Sequence, residues 1–281
     1  GLLAQPEAGP PPATPSPAEA RRAAAAPWQA APGPAPGKPE AIGTPTNGCL
    51  RGATALRASR DVVLVHPERR RHFGHPALVA YLGRFARRAR AAKLAPIGVG
   101  DLAQPRGGPT PSGHRSHQNG LDVDVAYVLP GQERPGRVGP TVVGSDRTSL
   151  LPEHRKRVLA LVALAAADDA VDRVFVHPAI KRALCDEGAQ NPALARVRPW
   201  WGHDDHLHVR VRCPTGNPAC VERDATPTGT GCENLAWWWS EDASRTSQRR
   251  SDEAARTGPP PLPAGCPELV STPAESAALS P

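Results

Sequence analysis

The chain has 281 residues, 22% of them charged, with a formal net charge of +7. That length allows one large domain or two small ones, and it can bury a core without needing a metal or a disulfide to hold the fold together. No apolar run reaches the roughly 18 residues of a membrane span. Aromatics at 4%, without a basic-aromatic stacking pattern, argue against a nucleic-acid partner, and the excess charge is scattered arginine rather than a patch.

The 35 prolines and 26 glycines are unevenly spread. Residues 1–40 hold 11 of the prolines together with 12 alanines, and so few large apolar side chains cannot offset the entropy of ordering. This stretch reads as a disordered Pro/Ala-rich leader. The chain starts at Gly1 and contains no Met, so an initiator Met, and with it an export signal, is expected to have preceded it.

A globular domain is expected over 41–268, with a disordered tail over 269–281. Residues 62–65 form a short apolar strand. Residues 76–93 open with a proline and place Leu78, Val79, Leu82, Phe85 and Ala89 at helical spacing. Over 121–128, Leu121, Val123 and Val125 alternate with Asp122 and Asp124, the pattern of a half-buried strand with its carboxylates on the open side. Residues 152–167 read as a helix, 171–176 as a strand and 178–187 as a short helix stopped by Gly188. Over 206–212, Leu207, Val209 and Val211 face one way and His206, His208, Arg210 and Arg212 the other. Beyond about residue 240 the sequence again becomes low in large apolar residues, apart from Cys266, which is expected to pin the tail to the body. The mixture lacks a regular βαβ spacing and predicts an α+β fold, a small antiparallel sheet with flanking helices.

Six cysteines without a CxxC pair fit neither a zinc ribbon nor a thioredoxin motif. Their wide spacing and even number suit three disulfides and an oxidising compartment, with 15 possible pairings.

Five of the ten histidines fall in two windows, 113–124 (Gly-His-Arg-Ser-His-Gln-Asn-Gly-Leu-Asp-Val-Asp) and 200–210 (Trp-Trp-Gly-His-Asp-Asp-His-Leu-His-Val-Arg). The others, His66, His72, His75, His154 and His177, are isolated and read as structural or surface residues. Gly120 permits a tight turn that returns His117 to the strand carrying Asp124. His206 and His208 share a strand face about 7 Å apart, so that one can bind a metal while the other stands beside it. Two imidazoles, a carboxylate and a position left for water describe a catalytic zinc site on the open face of the sheet. With His114 as a fourth protein ligand, the same residues would form a structural site. Asp122 is placed to bond the far nitrogen of a ligand histidine, and Asp204 and Asp205 either do the same or face solvent.

These windows resemble those of the penicillin-insensitive murein endopeptidases, in the metallopeptidase group that includes lysostaphin-type enzymes, D-Ala-D-Ala peptidases and the Sonic hedgehog domain. The resemblance extends to Pro27-Trp28-Gln29, Thr46-Asn47-Gly48-Cys49, Arg71-His-Phe-Gly-His-Pro76, Val197-Arg-Pro-Trp200, Arg212-Cys-Pro214 and all six cysteines, about 240 residues in all. It implies Zn2+ on His117, Asp124 and His208, with His206 as general base and His203 and His114 lining the site; in the mechanism this suggests, His203 is expected to stabilise the developing oxyanion. It further implies disulfides Cys49–Cys266, Cys185–Cys232 and Cys213–Cys220. The implied protein is a periplasmic enzyme that cuts D-alanyl–diaminopimelate cross-links of peptidoglycan, with some action on diaminopimelate–diaminopimelate links.

Trp200 and Trp201 read as cleft walls or as core, and Trp237–Trp239 as packing or rim. In this family a second metal can use the counterpart of His114 and a downstream Asp-x-x-His; here Asp146 is present but Ser149 replaces the histidine. Two other functions fit the same residues: a zinc D,D-carboxypeptidase or dipeptidase trimming peptide ends, and an inactive peptidoglycan-binding module.

Overall fold

The computed structural model describes residues 14–111, 115–131, 136–188, 192–225 and 227–273. In chain order the strands are β1 (Glu40–Thr44), β2 (Asn47–Arg51), β3 (Thr54–Ala55), β4 (Val62–Leu64), β5 (Phe73–Gly74), β6 (Ile97–Val99), β7 (Asp122–Ala126), β8 (Val171–Val176), β9 (Val197–Pro199) and β10 (His206–Val211). The helices are α1 (Pro17–Ala30), α2 (Pro76–Ala91), α3 (Pro152–Ala166), α4 (Pro178–Asp186), α5 (Glu241–Arg256) and α6 (Cys266–Ser271).

Helices and sheets mix as expected, but the main sheet is larger than the small antiparallel one anticipated. It has six strands in the order β4-β6-β7-β10-β8-β9. The four central strands are antiparallel, whereas the edge pairs β4–β6 and β8–β9 run parallel. Strands β6 and β9 have three residues each, too few for a period-two signal, so their sequence carries no strand pattern.

The alternation in β7 and β10 decides which face is which. Val123, Val125, Leu207, Val209 and Val211 are buried in one core with Leu78, Leu82 and Phe85 of α2 and Leu161 and Val162 of α3. The opposite face carries Asp122, Asp124, His206, His208 and Arg210, and the register pairs His208 with Asp124 and Arg210 with Asp122. Two helices begin with the same device: His75 Nδ1 accepts from Ala77 N, and His177 Nδ1 from Ala179 N, each at 3.1 Å, ahead of a proline at the first helical position.

The chain ends correct two expectations. The stretch expected as a disordered leader contains α1, opened by a capping box between Ser16 and Glu19. Composition misled because a few side chains anchor this Ala-rich helix: Trp28 and Ala25 are buried, and Arg21 donates to the carbonyls of Ala254 and Thr257. Trp28 is 1% exposed and joins Ala35, Ile42, Cys49, Cys266 and Leu269 in a second small core. Gly108, at φ +77°, makes room for it: a Cβ there would lie 2.1 Å from the Trp28 ring.

The tail expected from residue 269 begins too early, since α6 runs to Ser271 and Leu269 is buried. Arg106, itself buried, donates to the carbonyls of Gly33, Leu269, Val270 and Thr272, which ties the segment after α1 to α6. Residues 1–13 and 274–281 lie outside the described residues.

All three disulfides pair as the resemblance implied: Cys49–Cys266, Cys185–Cys232 and Cys213–Cys220. They fit an exported protein. Among the described residues, no helix is long and apolar enough to cross a membrane.

Candidate metal centre

His117 lies on the loop that enters β7. The β1–β2 hairpin holds this loop: Gln118 N donates to Pro45 O, its Nε2 to Thr46 O, and its Oε1 accepts from Gly48 N. Gly120 has φ +75°, the turn conformation its position called for. His117 has φ +73° and His203 φ +56°. Left-handed backbone at a residue with a Cβ costs roughly 1–2 kcal/mol, so both positions are imposed by their surroundings, a frequent property of functional sites.

The two windows converge on the open face. His117 Nε2 lies 3.3 Å from Asp124 Oδ2, and His208 Nδ1 lies 2.9 Å from Asp124 Oδ1. Donor atoms of His117, Asp124 and His208 all lie within 4.8 Å of one another. A tetrahedral zinc ion with bonds of about 2.0–2.1 Å sets its donors about 3.3 Å apart; the 3.3 Å and 2.9 Å separations from Asp124, with this nitrogen and oxygen donor set, are compatible with a metal ion of that kind. Nε2, 3.3 Å from Asp124 Oδ2, is the His117 nitrogen turned to the shared point, while its Nδ1 is buried without a hydrogen bond.

Asp122 organises the surroundings. It is fully buried, accepts from Arg210 Nε at 2.8 Å and Nη2 at 3.0 Å, and accepts from the His117 backbone N–H at 3.4 Å. His208 Nε2 sits 3.1 Å from its Oδ2, close enough for charge attraction but off the line of a well-formed hydrogen bond. With that nitrogen turned to Asp122, Nδ1 is the ring nitrogen that faces Asp124 and the point shared by the three donors. The pairing with Arg210 was not read from the sequence, although its place two residues after His208 on the same face was available as a signal.

His206 stands beside the three donors, Nε2 3.6 Å from Asp124 Oδ1 and Nδ1 2.5 Å from Asp205 Oδ1. Asp205 is thus the carboxylate that orients His206, while Asp204 binds Arg147 and Thr141 away from the donors. His203 packs 5.0 Å from the His206 ring, with Nδ1 2.9 Å from Trp201 O.

The ionisation pattern follows. Burial disfavours charge throughout, yet the neighbouring Asp124 and Asp122 push His117 up to about 9. Burial also opposes the charged forms of His206 and His208, but adjacent carboxylates raise both. Asp124 is held well below the usual carboxylate range by its histidines, against the cost of burial. For His203 the order reverses: burial, then His206 and His208, push it down to about 3 against a smaller opposing pull from Asp124.

His114 lies outside the described residues. Asp146, the other residue considered for a second metal, accepts from Thr148 Oγ1 at 2.8 Å and from Ser149 Oγ, closing its own turn. Of the isolated histidines, His75 and His177 cap helices, His66 contacts Arg137 O and His72 stacks on Phe73.

A family model described as penicillin-insensitive murein endopeptidase matches residues 41–271. A protein of that name from Yersinia enterocolitica is 40% identical over 258 residues, covering 88% of this chain and 91% of its own. Its namesake in Pectobacterium atrosepticum is 38% identical, covering 87% and 88%. That of Salmonella paratyphi C is 37% identical, covering 88% and 92%.

Proposed function

The chain belongs to the penicillin-insensitive murein endopeptidases, and on that footing we propose that it is a zinc-dependent, periplasmic hydrolase of D-alanyl–diaminopimelate cross-links in peptidoglycan, with some action on diaminopimelate–diaminopimelate links. The observation that carries this reading is the convergence of His117, Asp124 and His208 within 4.8 Å. Zinc held there would lower the pKa of a bound water from about 15.7 towards 7 and polarise a scissile carbonyl.

The chain's own residues do the rest. Asp205 holds the proton on His206 Nδ1, which leaves the Nε2 lone pair facing the donor set. His206 is therefore the general base: it takes a proton at Nε2 and returns it to the departing amine. His203 is a less suitable donor to an oxyanion than its position suggests. Its Nδ1–H is committed to Trp201 O and burial keeps the ring neutral, so Nε2 is an acceptor, suited to a water or to a substrate N–H. A β-lactam traps a nucleophilic serine as an acyl-enzyme; activation of water at a metal gives it no such group to trap.

Purified cross-linked muropeptide dimers, incubated with the protein with and without chelator, test the reading. Metal-dependent release of monomers is the expected result. Shortened stem peptides without monomers would instead show end-trimming, and unchanged dimers that are merely bound would show an inactive module. His206→Ala should lose turnover while still binding one zinc by calorimetry.

A further inference from the structure

A cleft of about 550 Å³ runs from His203 and His208 past Phe175 and Trp200 to Arg250 of α5. Its charge is not fully used by the protein. Arg173 is paired with Asp172 and Arg210 with Asp122. Among the described residues, the other guanidiniums of the cleft, Arg198, Arg223 and Arg250, form no ion pair. Two carboxylates, Asp224 and Glu233, also line it, and Glu233 accepts from Thr230 Oγ1.

Two of these arginines are placed by the fold. Arg198 lies in the same cross-sheet row as the metal donors: Asp124 pairs with His208, His208 with Phe175 and Phe175 with Arg198. It therefore stands two strands, about 10 Å, from His208. Its Nη2 donates to Thr228 O at 3.3 Å, which leaves further N–H groups. Arg250 sits over aromatic rings, its Cζ 4.6 Å from the Trp200 centroid and 5.7 Å from that of Trp201. A guanidinium packed against an aromatic ring can still present two N–H groups to a carboxylate, which it grips with two parallel hydrogen bonds.

The cross-link is a matching ligand. The diaminopimelate carbon that bears the scissile nitrogen also bears a carboxylate, so a negative charge sits next to the bond to be cut. We propose that Arg250, held on Trp200, and Arg198 form a carboxylate-recognition subsite that selects cross-linked peptides with this carboxylate free over those in which it is amidated. The proposal rests on the endopeptidase reading and adds the feature of the substrate that the cleft reads.

The test compares two muropeptide dimers that differ only in that carboxylate, free acid or amide. Wild type should favour the free acid about 10–100-fold in kcat/KM, chiefly through KM, and the preference should shrink as salt is raised. R250A and R198Q should each bring the ratio towards one, and R250K should restore only part of it, since lysine keeps the charge but not the fork. The ratio is internal to each protein, so partial unfolding of a variant does not move it. R182A removes an arginine stacked 4.5 Å over Trp239 outside the cleft and should keep the wild-type ratio. Equal cleavage of both dimers by wild type, or an unmoved ratio in both R250A and R198Q, overturns the subsite and leaves the endopeptidase reading intact. Cleavage of neither dimer overturns the endopeptidase reading; calorimetric binding of both dimers to chelator-treated protein then still decides the subsite, equal affinities refuting it.

Discussion

Acid lability is where one buried histidine has a calculable effect. His177 is 6% exposed, its Nδ1 accepts the first N–H of α4, and its backbone N–H donates to His203 O at 3.2 Å. Burial, then the nearby Arg147, pushes its pKa down to about 4, against 6.5 in the unfolded chain. Above pH 6.5 both states are neutral at this position and it contributes no pH dependence. Between 6.5 and about 4 the unfolded chain takes up a proton that the folded protein refuses, so stability falls as pH falls. At pH 4.5 this amounts to about 2–3 kcal/mol.

His177→Asn keeps a side-chain acceptor for the helix N-cap but removes the titration. Urea unfolding of both proteins between pH 7 and 4.5 should show the variant about 1 kcal/mol less stable at neutrality, from lost ring packing. That deficit should be erased or reversed by pH 4.5. Stability curves that stay parallel across this range would show that the imidazole does not titrate as argued. His75 caps α2 in the same way and is also shifted down by burial, so the variant should keep part of the wild-type acid sensitivity.

Two further outcomes are expected. Asp122→Asn leaves Arg210, 5% exposed, without its counter-charge, which should cost about 3–5 kcal/mol in denaturant unfolding; zinc affinity by competition titration should fall about 10–100-fold, because His208 loses the carboxylate behind it. Replacing Cys49 and Cys266 together by serine opens a loop of 217 residues, and should cost about 3–5 kcal/mol, read as a lowered thermal midpoint under non-reducing conditions.

Much of the site was legible because strands alternate. Once 121–128 and 206–212 read as half-buried strands, Asp122, Asp124, His206, His208 and Arg210 had to share an open face, and the structure places them there. What alternation cannot give is register. That His208 falls opposite Asp124 depends on how two segments more than 80 residues apart align, and that Asp205 rather than Asp204 reaches His206 depends on side-chain directions where the chain enters β10. Trp28 and Arg250 lie in stretches whose average composition reads as unstructured. Trp28 is fixed by a gap that only the folded loop at Gly108 creates, and Arg250 by two tryptophan rings brought to it from another part of the chain.

Local sequence therefore determined the chemical types present, the faces they occupy and the starts of α2, α3 and α4, since these follow from period and prolines within a few residues. Tertiary structure alone decided the order of the six strands, the burial of Trp28 and Leu269 and the neighbours of each titratable group. Those depend on contacts between residues far apart in the chain, whose free energy no local stretch contains.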